Sequence, residues 1–328
     1  MKKQKTIISF CIVVLALLLV LMTVFIVSGC TEYKFDDQAA PQETDVMISI
    51  MSRQGNASDE HTPRTRMTEN EVKSAIVLIY NASQVFEKSA DMGVGNSVTL
   101  TLREGKKYIF IVANASTALR AKLNASPTYT ALNNMLSEAD DYNGGKYPAQ
   151  GLLMSGKVEQ TIASGSTNSV KVKLNYCLSK ISLYLRKGSS DVDNITVNSL
   201  KINKARDKGY LFKTAMSASV VDNNVTLENT QINGFTAGSD GTLIGVQYTY
   251  PTVDATDIAF TITLKHANTS ATDTYTVYPN AGNNANGVTL EPNNQYKVIV
   301  TFSKDENGTL SVIGFTTNDV NFDIEYIS

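Results

Sequence analysis

The sequence predicts an all-β protein with one short helix, built from two β-sandwich domains in tandem. Short apolar or alternating stretches recur along the 328-residue chain, and turns rich in Asn, Gly, Asp and Ser separate them. The composition agrees, with 42% hydrophobic residues, 18% charged residues, 15 Tyr and no Trp. A chain of this length can bury two cores.

The amino terminus predicts export from the cytoplasm. Lysines precede an apolar run over residues 7–27, which ends at Ser28-Gly29-Cys30. A basic start, an apolar centre and small residues are typical of a signal peptide, here residues 1–29. The position of Cys30 resembles a bacterial lipobox, which implies lipidation of that cysteine. An uncleaved transmembrane anchor is the alternative, because about 20 apolar residues can span a bilayer.

The predicted amino-terminal domain covers residues 45–176 and follows a polar, acidic tether over residues 30–44. Its first strand, residues 45–52, places Val46, Ile48 and Ile50 on one face.

A polar, basic loop over residues 53–73 separates this strand from a second one over residues 74–80. The loop contains Arg53, Arg64 and Arg66. Exposed polar loops are preferred sites of proteolysis. The first strand is therefore interpreted as a removable occupant of a groove in the sheet.

Two further features are predicted in this domain. Residues 97–102 and 107–114 suit a hairpin with Gly105 in its turn. One helix is indicated by apolar residues at helical spacing, starting at residues 126–128 and stopping at residues 143–145. Those apolar positions are Ala131, Leu132, Met135, Leu136 and Ala139.

The second predicted domain covers residues 177–328, with the boundary placed near residues 175–179. Short strands follow one another there, with turns such as Asp222-Asn223-Asn224 between them. The predicted strands are 195–202, 210–212, 225–227, 242–248, 258–264, 274–278, 295–302 and 309–315.

The chain closes on an alternating segment, residues 320–327. One face carries four apolar side chains, and the other is polar and acidic. The segment is either an ordinary last strand of its own sheet or a donor strand for a neighbouring subunit's groove. The four apolar residues are Val320, Phe322, Ile324 and Tyr326.

The residues that could carry chemistry are few, and they predict a non-enzyme without metal or cofactor. Cys177 lies in an apolar pattern typical of a buried thiol. The two histidines, His61 and His266, are too few for a His/Cys metal cluster. No Gly-x-Ser-x-Gly motif supports a Ser-His-Asp site, and no nucleotide-binding glycine motif occurs. A net charge of −2 without a basic patch argues against a nucleic-acid partner.

Taken together, the chain resembles the FimA-like fimbrillins, subunits of the type V pili of Bacteroidetes. The resemblance runs from the lipobox through most of the chain and rests on the order and spacing of its segments. These segments are residues 45–50, 75–81, 151–156, 173–185 and 294–302.

The resemblance implies two transthyretin-like domains and transport to the cell surface as an outer-membrane lipoprotein. It also implies an Arg-specific protease that cuts after an arginine in the loop behind the first strand. Arg66 is the matching residue, with Arg64 and Arg53 as alternates. Such a cut would release residues 30–66 with the lipid.

The partners implied by the resemblance are other pilus subunits, which would fill the emptied groove with a donated strand. Two alternatives stay open. An anchor subunit of the same fold would keep its lipid, and a surface glycan-binding lipoprotein would present exposed aromatic side chains. A secreted hydrolase using His61 or His266 is a weaker possibility.

Overall fold

Strands dominate the computed structural model, which describes residues 42–51, 69, 71–92, 97–165, 168–215, 217–252, 258–266, 271–278 and 289–304, with the backbone of 310–321. Its strands are β1 Glu43–Met51, β2 Ala75–Asn81, β3 Phe86–Asp91, β4 Ser97–Arg103, β5 Gly105–Ala113, β6 Met154–Ile162, β7 Asn168–Lys173, β8 Asn175–Tyr176, β9 Ser179–Lys187, β10 Ile195–Arg206, β11 Val220–Asn224, β12 Gln231–Ile232, β13 Thr242–Thr249, β14 Ala259–His266, β15 Thr272–Val277, β16 Asn294–Lys304 and β17 Leu310–Asn321. Its α-helices are α1 Thr117–Asn124, α2 Tyr129–Asn133 and α3 Ala139–Tyr142.

The strands form four sheets in two sandwiches. The first sandwich joins the sheet β4-β1-β7 to the sheet β3-β2-β5-β6-β8. The second joins β13-β9-β16-β17 to β11-β10-β14-β15, with β12 paired to β10. The predicted all-β fold with two sandwiches is confirmed.

The core of the first sandwich is centred on β2. All of Ala75–Tyr80 is buried, because both faces of this strand are covered. On one face, Tyr80 meets Phe110 of β5 and Tyr129 of α2 edge to face, with ring centroids 5.6 Å apart in each pair. The Tyr80 hydroxyl donates to the Pro127 carbonyl at 2.6 Å. The helices therefore close the outer side of the five-stranded sheet.

The second sandwich follows period-two alternation. In β9, Ile181 and Leu183 join a core with Leu200 of β10 and Phe260 of β14. Buried residues up to Leu178 form the first core together with Leu211, Tyr248 and Tyr250, and the second core begins at Ile181. Both cores belong to one compact unit over residues 43–328. The domain limits given by the sequence stay a prediction.

The predicted hairpin is wrong. Residues 97–103 and 105–113 are both strands, but β4 pairs with β1 whereas β5 pairs with β2 and β6. Gly105 has φ of +106°, a backbone conformation that other residues rarely adopt. The chain thus crosses from one sheet to the other at this glycine.

The single predicted helix is divided into α2 and α3. Its start is confirmed, since Thr128 caps α2 by accepting from the Ala131 amide at 3.2 Å. Its interior is interrupted because Leu136 forms a β-bridge with Tyr210, and the Ser137 backbone amide donates to the Gly209 carbonyl at 2.9 Å. Tertiary pairing therefore overrides the helical spacing, and α1 is an additional helix that the apolar pattern did not reveal.

The predicted turn Asp222-Asn223-Asn224 is also wrong, because all three residues lie in β11. Asn223 and Asn224 pair with β10, and the Asp222 carboxylate accepts from the Lys204 amide at 2.9 Å. Pairing with β10, which contains a bulge, thus holds these residues in a strand although their composition favours a turn.

Asn114 fixes the segment that leads into β2. Its buried side-chain amide donates to the carbonyls of Glu71 at 2.8 Å and Leu152 at 3.0 Å. Its side-chain oxygen accepts from the Lys73 amide at 2.8 Å. Asn114 has φ of +59°, which asparagine tolerates better than most residues. One side chain therefore holds the segment against the turn before β6.

This contact leaves no room beside Gly151. Gly151 has φ of +91°, and an added Cβ would lie 2.6 Å from Asn114 Nδ2. We expect Gly151→Ala to lower the free energy of unfolding by about 2–4 kcal/mol, because it combines backbone strain with displacement of a buried amide. Gly165→Ala is the matched control, since Gly165 has φ of +71° but open space around it. Urea unfolding of both variants measures the difference, and equal losses would contradict the role given to Asn114.

Candidate functional site

β1 lies between two strands that come from later parts of the chain. It pairs antiparallel with β4, from Glu43 opposite Arg103 to Ser49 opposite Ser97. It pairs parallel with β7, from Val46 beside Asn168 to Met51 beside Lys173. Removal of β1 would therefore leave two facing strand edges with unpaired backbone groups.

Only one face of β1 enters the core. Val46 and Ile48 are fully buried and Ile50 is 6% exposed, whereas Met47 between them is 45% exposed. The predicted placement of Val46, Ile48 and Ile50 on one buried face is thus observed. Burial of each such side chain contributes about 1.5–3 kcal/mol.

The side-chain polar contacts of β1 are few among the residues described. Thr101 Oγ1 donates to Asp45 Oδ1 at 2.8 Å on the exposed face, and Arg103 Nε lies 3.9 Å from Glu43 Oε1. Ser49 Oγ donates to the Val170 carbonyl at 3.4 Å. Exposed ion pairs contribute little to stability. Backbone hydrogen bonds and three buried apolar side chains therefore account for most of the interactions that hold β1 in place.

Several predicted residues lie outside the described part of the chain. These are Cys30, Arg53, Arg64 and Arg66, so the lipidation and cleavage assignments stay predictions. The description resumes at Glu69, which is buried although the sequence places it in the loop over residues 53–73. A polar run gives no sign that one of its carboxylates is buried.

The predicted donor segment begins inside β17. Val320 pairs with Gln295 of β16 through the backbone, in the sheet of its own chain. β17 is the edge strand of that sheet among the strands described. Phe322, Ile324 and Tyr326 lie outside the described residues, so the donor role stays a prediction.

The candidate reactive residues are dispersed. His61 lies outside the described residues, and His266 ends β14 with its backbone paired to Ile195. Cys177 is buried, with Sγ 3.4 Å from Ser155 Oγ, and burial raises the pKa of its thiol to about 12. Within the ranges described, no group of three His, Cys, Asp or Glu side chains could hold a metal ion. Those ranges also contain no helix with the length and hydropathy to cross a bilayer.

The sequence of this two-sandwich chain matches a family model. The model is described as "Major fimbrial subunit protein (FimA)" and matches residues 45–227, more than half of the chain. The chain belongs to the FimA family. The resemblance to fimbrillins is thereby confirmed. This FimA-family member is a pilus subunit of cell-surface fimbriae and associates with other pilus subunits.

Solved structures share the fold of this FimA-family chain. A candidate cell adhesion protein from Bacteroides eggerthii is 18% identical, with a TM-score of 0.61 over 86% of this chain and 96% of its own. The tip fimbrial protein Mfa3 from Porphyromonas gingivalis, truncated at its carboxyl terminus, is 12% identical, with a TM-score of 0.54 over 85% and 100%. A fimbrial assembly protein from Parabacteroides distasonis is 14% identical, with a TM-score of 0.54 over 83% and 99%. No curated protein gives a significant match.

The one-sided burial of β1 can be tested by a pair of neighbouring substitutions. We expect Ile48→Ala to lower the free energy of unfolding by about 2–4 kcal/mol, because it opens a cavity in the core. Met47→Ala on the exposed face should change it by about 0.5 kcal/mol or less. Urea unfolding measures both values, and similar losses would contradict the assignment of the two faces.

The burial of Cys177 predicts an unreactive thiol. In a chain with Cys11→Ser and Cys30→Ser, we expect no labelling by a thiol reagent at pH 8 in the folded state and full labelling in denaturant. The pKa of about 12 keeps the thiol protonated at that pH, and only the thiolate reacts. Mass spectrometry after timed labelling checks this, and rapid labelling of the folded chain would show that the thiol is accessible.

Proposed function

We propose that this FimA-family subunit is exported as a lipoprotein through Cys30 and polymerises by strand exchange after Arg-specific proteolysis. The observation that carries the proposal is the position of β1, which fills a slot between β4 and β7. One face of β1 completes the core and the other is exposed to solvent. Replacement of β1 would therefore disturb the core on one face of this strand only.

An empty slot would be unfavourable. The edges of β4 and β7 would lose their backbone partners, and the core beneath Val46, Ile48 and Ile50 would meet water. Three such side chains account for roughly 5–9 kcal/mol of burial. This cost drives the uptake of another strand with the same alternation.

The carboxyl-terminal segment of a second copy has the required pattern. Phe322, Ile324 and Tyr326 are spaced at i, i+2 and i+4, as are the three buried residues of β1. Use of Val320 as a fourth donor residue would separate it from Gln295, with which it pairs in the free subunit. Because the slot and the donor differ, the contact is heterologous and continues as a filament.

Scission would start the exchange. A cut after Arg66, or after Arg64 or Arg53, separates β1 and Cys30 from the body of the subunit. The chain between Cys30 and the cut leaves with the lipid that holds the precursor to the outer membrane. A copy that is not cut would keep its lipid and serve as the anchor of the fibre.

The proposal predicts protease-dependent polymerisation. Purified residues 31–328 treated with an Arg-specific protease should lose residues 31–66 and form SDS-resistant oligomers, because intersubunit strands are fully paired. The triple variant Arg53→Lys, Arg64→Lys, Arg66→Lys should stay monomeric under the same treatment. Gel electrophoresis without boiling, with sequencing of the new amino terminus, provides the readout.

A chain ending at Asn321 is the control for the donor. It keeps β17 but lacks residues 322–328, so it should be cut normally and remain monomeric. Oligomers from this shortened chain would exclude the carboxyl-terminal donor. A cut chain that keeps β1 bound and never oligomerises would exclude strand exchange.

A further inference from the structure

Glu69 is a buried carboxylate at the carboxyl-terminal end of the predicted cleavage loop. It is 3% exposed, and its Oε1 lies 2.7 Å from Lys180 Nζ. The Tyr248 hydroxyl donates to the same oxygen at 2.5 Å. The Tyr176 hydroxyl donates to the Glu69 backbone carbonyl at 3.0 Å. Side chain and backbone of one residue are thus both held.

The partners of Glu69 come from both sandwiches. Lys180 and Tyr248 are directly opposite each other on β9 and β13. Since Ile181 belongs to the second core, the alternation places Lys180 on the other face of that sheet. Tyr176 belongs to β8 of the first sandwich. Glu69 therefore lies at the junction of the two sandwiches.

Residues 71–74 are held as firmly. The Asn114 side chain binds the Glu71 carbonyl and the Lys73 amide, and the Asn114 backbone amide donates to the Ser74 carbonyl at 2.9 Å. Lys73 Nζ donates to the Ala149 carbonyl at 2.9 Å. Glu69, Glu71, Lys73 and Ser74 are thus each held by a hydrogen bond before β2 begins.

The ion pair acts on position more than on stability. A buried pair of charges gives little net stabilisation, but loss of one partner leaves the other charge buried and unpaired. Glu69 Oε2 has no hydrogen-bond partner in the structure. The arrangement therefore holds Glu69 in one place without contributing much to folding.

We propose that Glu69, Lys180, Tyr248, Tyr176 and Asn114 form a clasp that confines the effect of scission to β1. The inference rests on the proposed function, in which the loop before Glu69 is cut and β1 leaves. The clasp keeps Glu69 and residues 71–74 docked when that happens. β2, at the centre of the first core, then stays in place while the slot beside β4 is refilled.

Lys73 provides a direct test, because trypsin cleaves after lysine as well as after arginine. Its side chain is 35% exposed and open to recognition, but its backbone is held by Asn114. In the full chain, trypsin should cut at the loop arginines and leave the Lys73–Ser74 bond intact. Mass spectrometry of the large fragment identifies its first residue.

Glu69→Gln should open the clasp. Cleavage after Lys73 is expected to accelerate about tenfold or more, since proteolysis follows the population of the open segment. The large fragment should then begin at Ser74. Glu71→Gln is the matched control, because that side chain is 53% exposed and pairs with Lys73 only at 3.8 Å. It should leave the Lys73–Ser74 bond protected.

Hydrogen exchange of residues 195–206 in β10 checks that the variant remains folded. If Glu69→Gln loses that protection, Tyr248→Phe is used in its place. Tyr248→Phe removes one hydrogen bond to Glu69 without leaving a charge unpaired, so a several-fold increase in cleavage after Lys73 is expected. Equal rates in the clasp variant and Glu71→Gln, or rapid cutting at Lys73 in the unchanged protein, would overturn the clasp. Neither readout needs oligomers, so a clasp that fails and a strand exchange that fails give different results.

Discussion

The pairing of β1 with both β4 and β7 is the constraint on which the first sandwich depends. The three-stranded sheet has no direct contact between its outer strands, so β1 alone makes it continuous. The same strand supplies Val46, Ile48 and Ile50 to the core. The first residues of the described chain therefore complete a sheet whose other members lie about 50 and 120 residues further on.

The second sandwich is built differently at its corresponding position. β9 and β16 are both interior strands of their sheet, and their parallel pairing runs from Lys180 to Lys187. Among the strands described, both sheets of the second sandwich are formed by residues after 178. Loss of β1 would thus open the first sandwich, while the interior strands β9 and β16 of the second keep their pairing.

Sequence reasoning succeeded where burial follows a local period. The buried face of β1 is readable because Val46, Ile48 and Ile50 recur at every second position, and β2 is readable because it is a continuous apolar run buried on both faces. It failed where the partner is distant in sequence. β4 and β5 are neighbours in the chain but join different sheets, and no local pattern at Gly105 distinguishes a crossing from a hairpin. The break after α2 likewise depends on residues 209–211.

Glu69 could not be found from sequence for the same reason. Its partners Lys180 and Tyr248 are 111 and 179 residues away, and each stands in a strand whose pattern reads as ordinary alternation. The strand β1 was therefore predictable from the sequence. Its pairing with β4 and β7, and the contacts that hold Glu69, were not.

The solvent-facing side of β1 has an immunological consequence. Glu43, Asp45 and Met47 are displayed on the outside of the sheet, so they are accessible to antibodies in a subunit that contains β1. Any strand that takes the place of β1 brings its own outward residues to that stripe. Under the proposed exchange, an antibody raised against this stripe would recognise the subunit that still contains β1 and not the fibre.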